Sequence, residues 1–183
     1  MKRREALSIS LAAAGGLFFG GSLVQSCDRP PYPYTLFTYE DMDILNDLSD
    51  ILIPDTPGSP GARAANTGDF VQHYITDCMS AAYQEMVLSG YASFKQTCVD
   101  KWGRPFHKLT VEKKTEVVAQ LIQEAQEMAG SATPHFFDTL RSLILRGYFT
   151  SETGMTQCLR YVPVPGYQKG IIPYRTGEKS WAL

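Results

Sequence analysis

Apolar residues recur at intervals of three and four positions from Met42 to Leu145, and no run alternates apolar with polar. That period belongs to the α-helix, so the chain is expected to be all-α, a compact bundle of five to six helices. No period repeats, which sets aside a solenoid. With 183 residues, 44% of them hydrophobic, one core is the default.

The local signals divide the bundle. Thr38 is placed to cap a first helix by accepting from the amide of Asp41, with Met42, Ile44, Leu45, Leu48, Ile51 and Leu52 on its inner face until Pro54 stops it. The segment Asp55-Thr-Pro-Gly-Ser-Pro-Gly-Ala62 reads as a loop, and Asp55 as a turn residue within it. A second helix is expected from Asp69 to Cys78, and a third from Ala82 to Lys101 with Tyr83, Met86, Val87, Tyr91, Phe94 and Cys98 inward. Gly103 and Pro105 end the third. Thr110 opens a fourth, with Val111, Val118, Leu121, Ile122 and Ala125 inward and Glu112, Lys113, Lys114 and Glu116 towards water. Thr133-Pro134 is expected to open a fifth, closed by Gly147 as a C-cap, and a short sixth runs from Ser151 to Leu159.

Both ends of the chain differ from this pattern. Lys2-Arg3-Arg4 precedes a stretch uncharged from Leu7 to Val24, the layout of an export signal. Adjacent Arg3 and Arg4, with Leu7 three positions on, resemble a twin-arginine signal, which addresses folded cargo to its translocase. Leu23-Val-Gln-Ser-Cys27 resembles a lipobox, making Cys27 a candidate lipidation site, while a retained membrane anchor is the alternative. Residues 1–26 are therefore assigned to the signal, 27–37, with three prolines, to a tether, and 38–183 to the helical domain. The expected location is the periplasmic side of a bacterial membrane, with a membrane link through signal or lipid. Residues 161–183 form an irregular arm rich in proline, glycine and aromatics. Such an arm either docks on a partner, with Tyr167, Tyr174 and Trp181 as anchors, or wraps the protein's own helices.

Several kinds of chemistry find no support in the residues. A net charge of −2, with the only basic cluster at the extreme N-terminus, argues against nucleic acid. Cys27, Cys78, Cys98 and Cys158 are too far apart in sequence for zinc or iron–sulfur spacing, and no haem attachment motif occurs. Cys78 and Cys98 are not expected to pair, because the helix between them would hold them about 20 Å apart. The glycines at 15, 16, 20 and 21 lie inside the signal and follow no strand, so they are no dinucleotide loop. His73, His107 and His135 are scattered and read as surface or capping residues, with Asp77 four positions after His73 the nearest approach to a ligand pair. Asp138 and Arg141 are spaced for a surface ion pair. No nucleophile elbow, phosphate loop or paired catalytic carboxylate appears, and no catalytic, cofactor-binding or metal residue is assigned.

Two stretches carry a resemblance. Leu48-Ser-Asp-Ile-Leu-Ile-Pro54-Asp-Thr-Pro57-Gly58-Ser-Pro-Gly61-Ala62, followed by Asp69-Phe70, and Gly147-Tyr148-Phe149-Thr150-Ser151-Glu152-Thr153-Gly154 resemble the small subunit of membrane-bound gluconate 2-dehydrogenase, the subunit 3 or gamma-subunit family. Phe106-x-x-Leu109-Thr110 before a charged helix fits as well. The resemblance implies an all-helical accessory subunit without a redox centre of its own. Its implied partners are a glucose-methanol-choline-type flavoprotein carrying FAD and a cytochrome subunit carrying haem c. Tyr148 and Phe149 of the second motif join the arm aromatics as candidate docking residues. Two other readings compete: a stand-alone envelope lipoprotein acting as a binding module, and an enzyme using the Asp55 or Glu152 loops.

Overall fold

A computed structural model describes residues 36–183 apart from 165, 167–169, 172, 174 and 183. The export signal, Cys27, the tether, Tyr167 and Tyr174 lie outside the described residues. Within them the protein is helical, as the periodicity requires, and the only β-type pairings are two isolated bridges.

Helix α1, Tyr39–Leu52, begins with the cap that the sequence announces. Thr38 Oγ1 accepts from the amide of Asp41 at 3.3 Å, and Asp41 Oδ2 accepts from the amide of Thr38 at 2.9 Å, so two otherwise orphaned donors are satisfied reciprocally. Met42, Ile44, Leu45 and Leu48 are buried. The helix ends at Ile53, whose backbone leaves the helical region before Pro54.

A short 3-10 turn, Ala62–Ala65, leads through Asn66, in the left-handed region at φ 49°, into α2, Thr67–His73, which continues as a π turn over Tyr74–Cys78. Helix α3, Ala81–Trp102, is terminated by Gly103 at φ 65°, a conformation that an L side chain resists. Helix α4, Val111–Glu127, follows a 3-10 turn at Phe106–Lys108. Helix α5, Phe136–Phe149, is followed by a π turn at Gly154–Cys158.

Helix α5 is the centre of the assembly, in contact with α2, α3 and α4. Phe137, Leu140, Leu143 and Ile144 make its buried face. Two glycines set the closest approaches. A Cβ on Gly147 would stand 2.5 Å from the ring of Phe70 on α2, and one on Gly90 of α3 would stand 2.6 Å from Phe136. Phe94 forms the hub of an aromatic cluster, with ring centroids 6.0 Å from Tyr91, 5.3 Å from Phe106 and 6.3 Å from Phe136.

Several local expectations are corrected. Gly147 does not close α5: the helix runs two residues further, and the glycine is there because Phe70 leaves no room for a side chain. Helix α5 is capped not by Thr133 but by His135, whose ring nitrogen accepts from the amide of Phe137 at 3.4 Å. Tyr83 and Val111, expected inward, are exposed, because each lies in the first turn of its helix beyond the reach of the core. Lys114, expected in water, is largely covered and bonds Asp47 on α1 at 2.7 Å. Arg63 holds the same Asp47 at 3.2 Å and Asp50 at 2.7 Å, so one charged cluster ties α1, α4 and the turn before α2.

Candidate functional site

The loop after α1 is closed by its own backbone. Thr56 and Ser59 exchange amide bonds at 3.0 and 3.1 Å, with Pro57-Gly58 as the turn between them. Asp55 Oδ1 accepts from the amide of Gly61 at 3.1 Å, and Ala62 donates to the carbonyl of Ile53 at 3.0 Å. Asp55 is thus spent on the turn. Gly61 passes so close to this backbone that a Cβ would lie 2.9 Å from the Asp55 nitrogen.

The second motif closes on itself in the same way. Ser151 Oγ donates to the carbonyl of Tyr148 at 2.7 Å and accepts from the amide of Gly154 at 3.0 Å. This folds the chain so tightly that a Cβ on Gly154 would stand 2.0 Å from the Tyr148 carbonyl oxygen. Only glycine fits there.

Tyr148 joins the two motifs. Its hydroxyl donates to the carbonyl of Pro60 at 2.5 Å and stands 2.7 Å from Ser59 Oγ. Because the side chain is wholly buried, a docking contact through it is closed in this conformation, and its part is internal: it fastens the loop to the end of α5. Phe149, its ring 5.2 Å from that of Tyr148, is the neighbour that reaches the surface.

The arm leaves this region and returns to it. Arg160 donates its amide to the Ser180 carbonyl at 2.8 Å and accepts at its own carbonyl from Ala182 at 3.1 Å, a short parallel pairing. Its guanidinium lies 4.1 Å from the Trp181 ring, and Lys179 donates to the Gln157 carbonyl. Trp181 is therefore an internal anchor and only half-exposed. Between the pinned ends Val164 and Ile171 are 80% and 90% exposed. No described residue of the arm joins the hydrophobic core.

Burial and hydrogen bonds set several titratable groups among the described residues. Asp41 is buried beneath Lys95, whose ammonium is 2.5 Å from Oδ1. Burial works to raise that carboxyl, yet the Lys95 and Thr38 hydrogen bonds outweigh it and hold it below the usual carboxylate range. Burial raises the Tyr91 hydroxyl well above its ordinary range and pushes the Cys98 thiol up to about 11. Cys78, Cys98 and Cys158 are all free thiols. His73 is exposed, while His107 departs from the surface expectation: its Nδ1 is buried without a hydrogen-bond partner, 3.7 Å from Glu40. Among the described residues no three His, Cys, Asp or Glu side chains converge, no ion pair joins Asp138 to Arg141, and no helix is long and apolar enough to cross a membrane.

Residues 39–166 match the family model described as Gluconate 2-dehydrogenase subunit 3. The match takes in both motifs and every described α-helix, and stops within the arm. No curated protein and no solved structure matches the chain.

Proposed function

The chain belongs to the gluconate 2-dehydrogenase subunit 3 family, and on that premise we propose that it is the non-catalytic accessory subunit of a membrane-associated, FAD-dependent sugar or sugar-acid dehydrogenase. In this reading it escorts a glucose-methanol-choline-type flavoprotein across the membrane and stabilises it on the periplasmic side. FAD belongs to that large subunit, and haem c to a cytochrome subunit where one is present.

The observation that carries the reading is the extent of the family match, which runs from the first helix through both motifs. The internal use of the motif residues supports it. Asp55, Ser59, Tyr148, Ser151 and Gly154 are occupied in holding two loops in shape, as suits a subunit whose work is to present a surface. The escort role rests on Arg3, Arg4 and Leu7, because a translocase that takes folded cargo can carry a second, bound chain that has no address. Cys27 is the residue through which a lipid would hold the complex at the membrane.

The test is Arg3→Lys combined with Arg4→Lys, which keeps the charge and removes the guanidinium geometry. Both this chain and the flavoprotein are expected to stay in the cytoplasm. Normal export of the flavoprotein in that strain would remove the escort role.

A further inference from the structure

The arm carries a charge opposite to that of the domain that bears it. Residues 160–183 hold four Lys or Arg against one Glu, whereas residues 27–159 hold ten against 17 Asp or Glu. A cationic segment is thus mounted on an acidic domain. The family match ends at residue 166, so most of the arm lies beyond what it covers.

The cations of this segment are at the surface and unpaired. Arg160, Arg175 and Lys179 are all exposed, and none has a carboxylate within ion-pair reach among the described residues. The pairing of Arg160 with Trp181 fixes the base of the arm, and beyond that base Val164 and Ile171 are left almost wholly in water. Aliphatic side chains beside free cations are the pattern of an interfacial segment. The aliphatics enter the acyl boundary, while Lys and Arg lay their stems along it and keep their charges among headgroup phosphates.

Two further considerations favour a bilayer over an acidic protein. Protein docking needs a surface of fixed, complementary shape, and the described part of the arm forms no helix or strand beyond its base. Anionic headgroups also repel the acidic domain, which leaves the arm as the part that approaches them. A bilayer is close at hand in the reading given above. From Cys27 to Leu36 the chain reaches at most about 30 Å, so a lipid on Cys27 would hold the domain beside the membrane.

We infer that the arm is a lipid-contact loop, which sets Val164 and Ile171 into the headgroup boundary of an anionic bilayer while Arg160, Arg175 and Lys179 meet lipid phosphates. The inference takes from the accessory-subunit reading only the nearby bilayer. Its test needs no flavoprotein, so the two can fail separately.

Residues 28–183, without the signal and Cys27, keep every described residue of the hydrophobic core and bring no anchor of their own. Cosedimentation with vesicles of phosphatidylcholine, alone or with about one third phosphatidylglycerol, reads the binding. Vesicles with phosphatidylglycerol should bind the chain at least tenfold better than those without it, and high salt should release it. Arg175→Gln should weaken binding about fivefold, and Val164→Ser combined with Ile171→Ser should weaken it several-fold, both with unchanged helical circular dichroism. Lys113→Gln, on the exposed side of α4, should bind as wild type. No binding to the anionic vesicles, equal binding to both kinds, or wild-type binding by either folded arm variant overturns the inference. Arm substitutions that abolish self-association or flavoprotein recovery, with the vesicles left unbound, overturn it too and assign the arm to a protein contact.

Discussion

The hydroxyl of Tyr148 stands 2.7 Å from Ser59 Oγ, across 89 positions of sequence. That contact, with the bond to the Pro60 carbonyl, fastens two motifs that are distant in sequence to each other. The loop closes on its own backbone, and the end of α5 adds the contact that fastens it to the helices. The relationship explains why a buried tyrosine, rather than a phenylalanine, sits at this position: its ring fills the interior while its hydroxyl reaches polar backbone at the edge.

Tyr148→Phe should therefore cost about 1–2 kcal/mol, because the Pro60 carbonyl loses its donor with no change in the volume filled. Ser59→Ala should cost less, since Tyr148 keeps the carbonyl as acceptor. Urea denaturation of the two single variants and the double variant checks this, and the double should fall short of the sum of the singles.

The close-packed glycines rank themselves. Gly154→Ala drives a methyl into the Tyr148 backbone carbonyl and should destabilise by about 3 kcal/mol or more. Gly147→Ala meets the half-buried Phe70 ring, which can turn aside, and alanine's better helix propensity of about 1 kcal/mol offsets part of the loss. Thermal melts should therefore place Gly147→Ala between wild type and Gly154→Ala.

The Asp41–Lys95 pair predicts an acid limb. The folded carboxyl lies below its unfolded value of about 3.9, so its contribution is present above that pH and is lost as pH falls through the lower, folded value. In Lys95→Met the burial penalty meets less opposition, and the carboxyl rises. Stability should fall by about 1–2 kcal/mol at neutral pH, a figure reduced for the partial exposure of Lys95, and the acid limb should shift to higher pH. Denaturant titrations between about pH 3 and pH 7 measure both effects.

Thiol reactivity should follow burial. Cys78 is exposed, Cys158 is partly covered, and Cys98 is buried with its thiol at about 11. Iodoacetamide labelling of the native protein should modify Cys78 first and Cys158 more slowly, with Cys98 modified only on unfolding.

Much of this architecture was readable because it is local. The Thr38–Asp41 capping box, the stop before Pro54 and the left-handed Gly103 each follow from residues within a few positions of one another. What escaped was set by distant partners. Gly147 has the look of a helix end until Phe70 is seen against it, and Lys114 looks solvated until Asp47 on another helix claims it. Tyr148 was noticed as a motif residue, but no local pattern joins it to Ser59.

The most direct test of the account is purification of the affinity-tagged chain from membranes of its native host, with flavin absorbance and subunit masses measured on the eluate. The account predicts a flavin-bearing large subunit in fixed proportion to this chain, and no flavin or haem absorbance once this chain is separated from it. Elution of the chain alone, or flavin that stays with it after separation, would contradict the account.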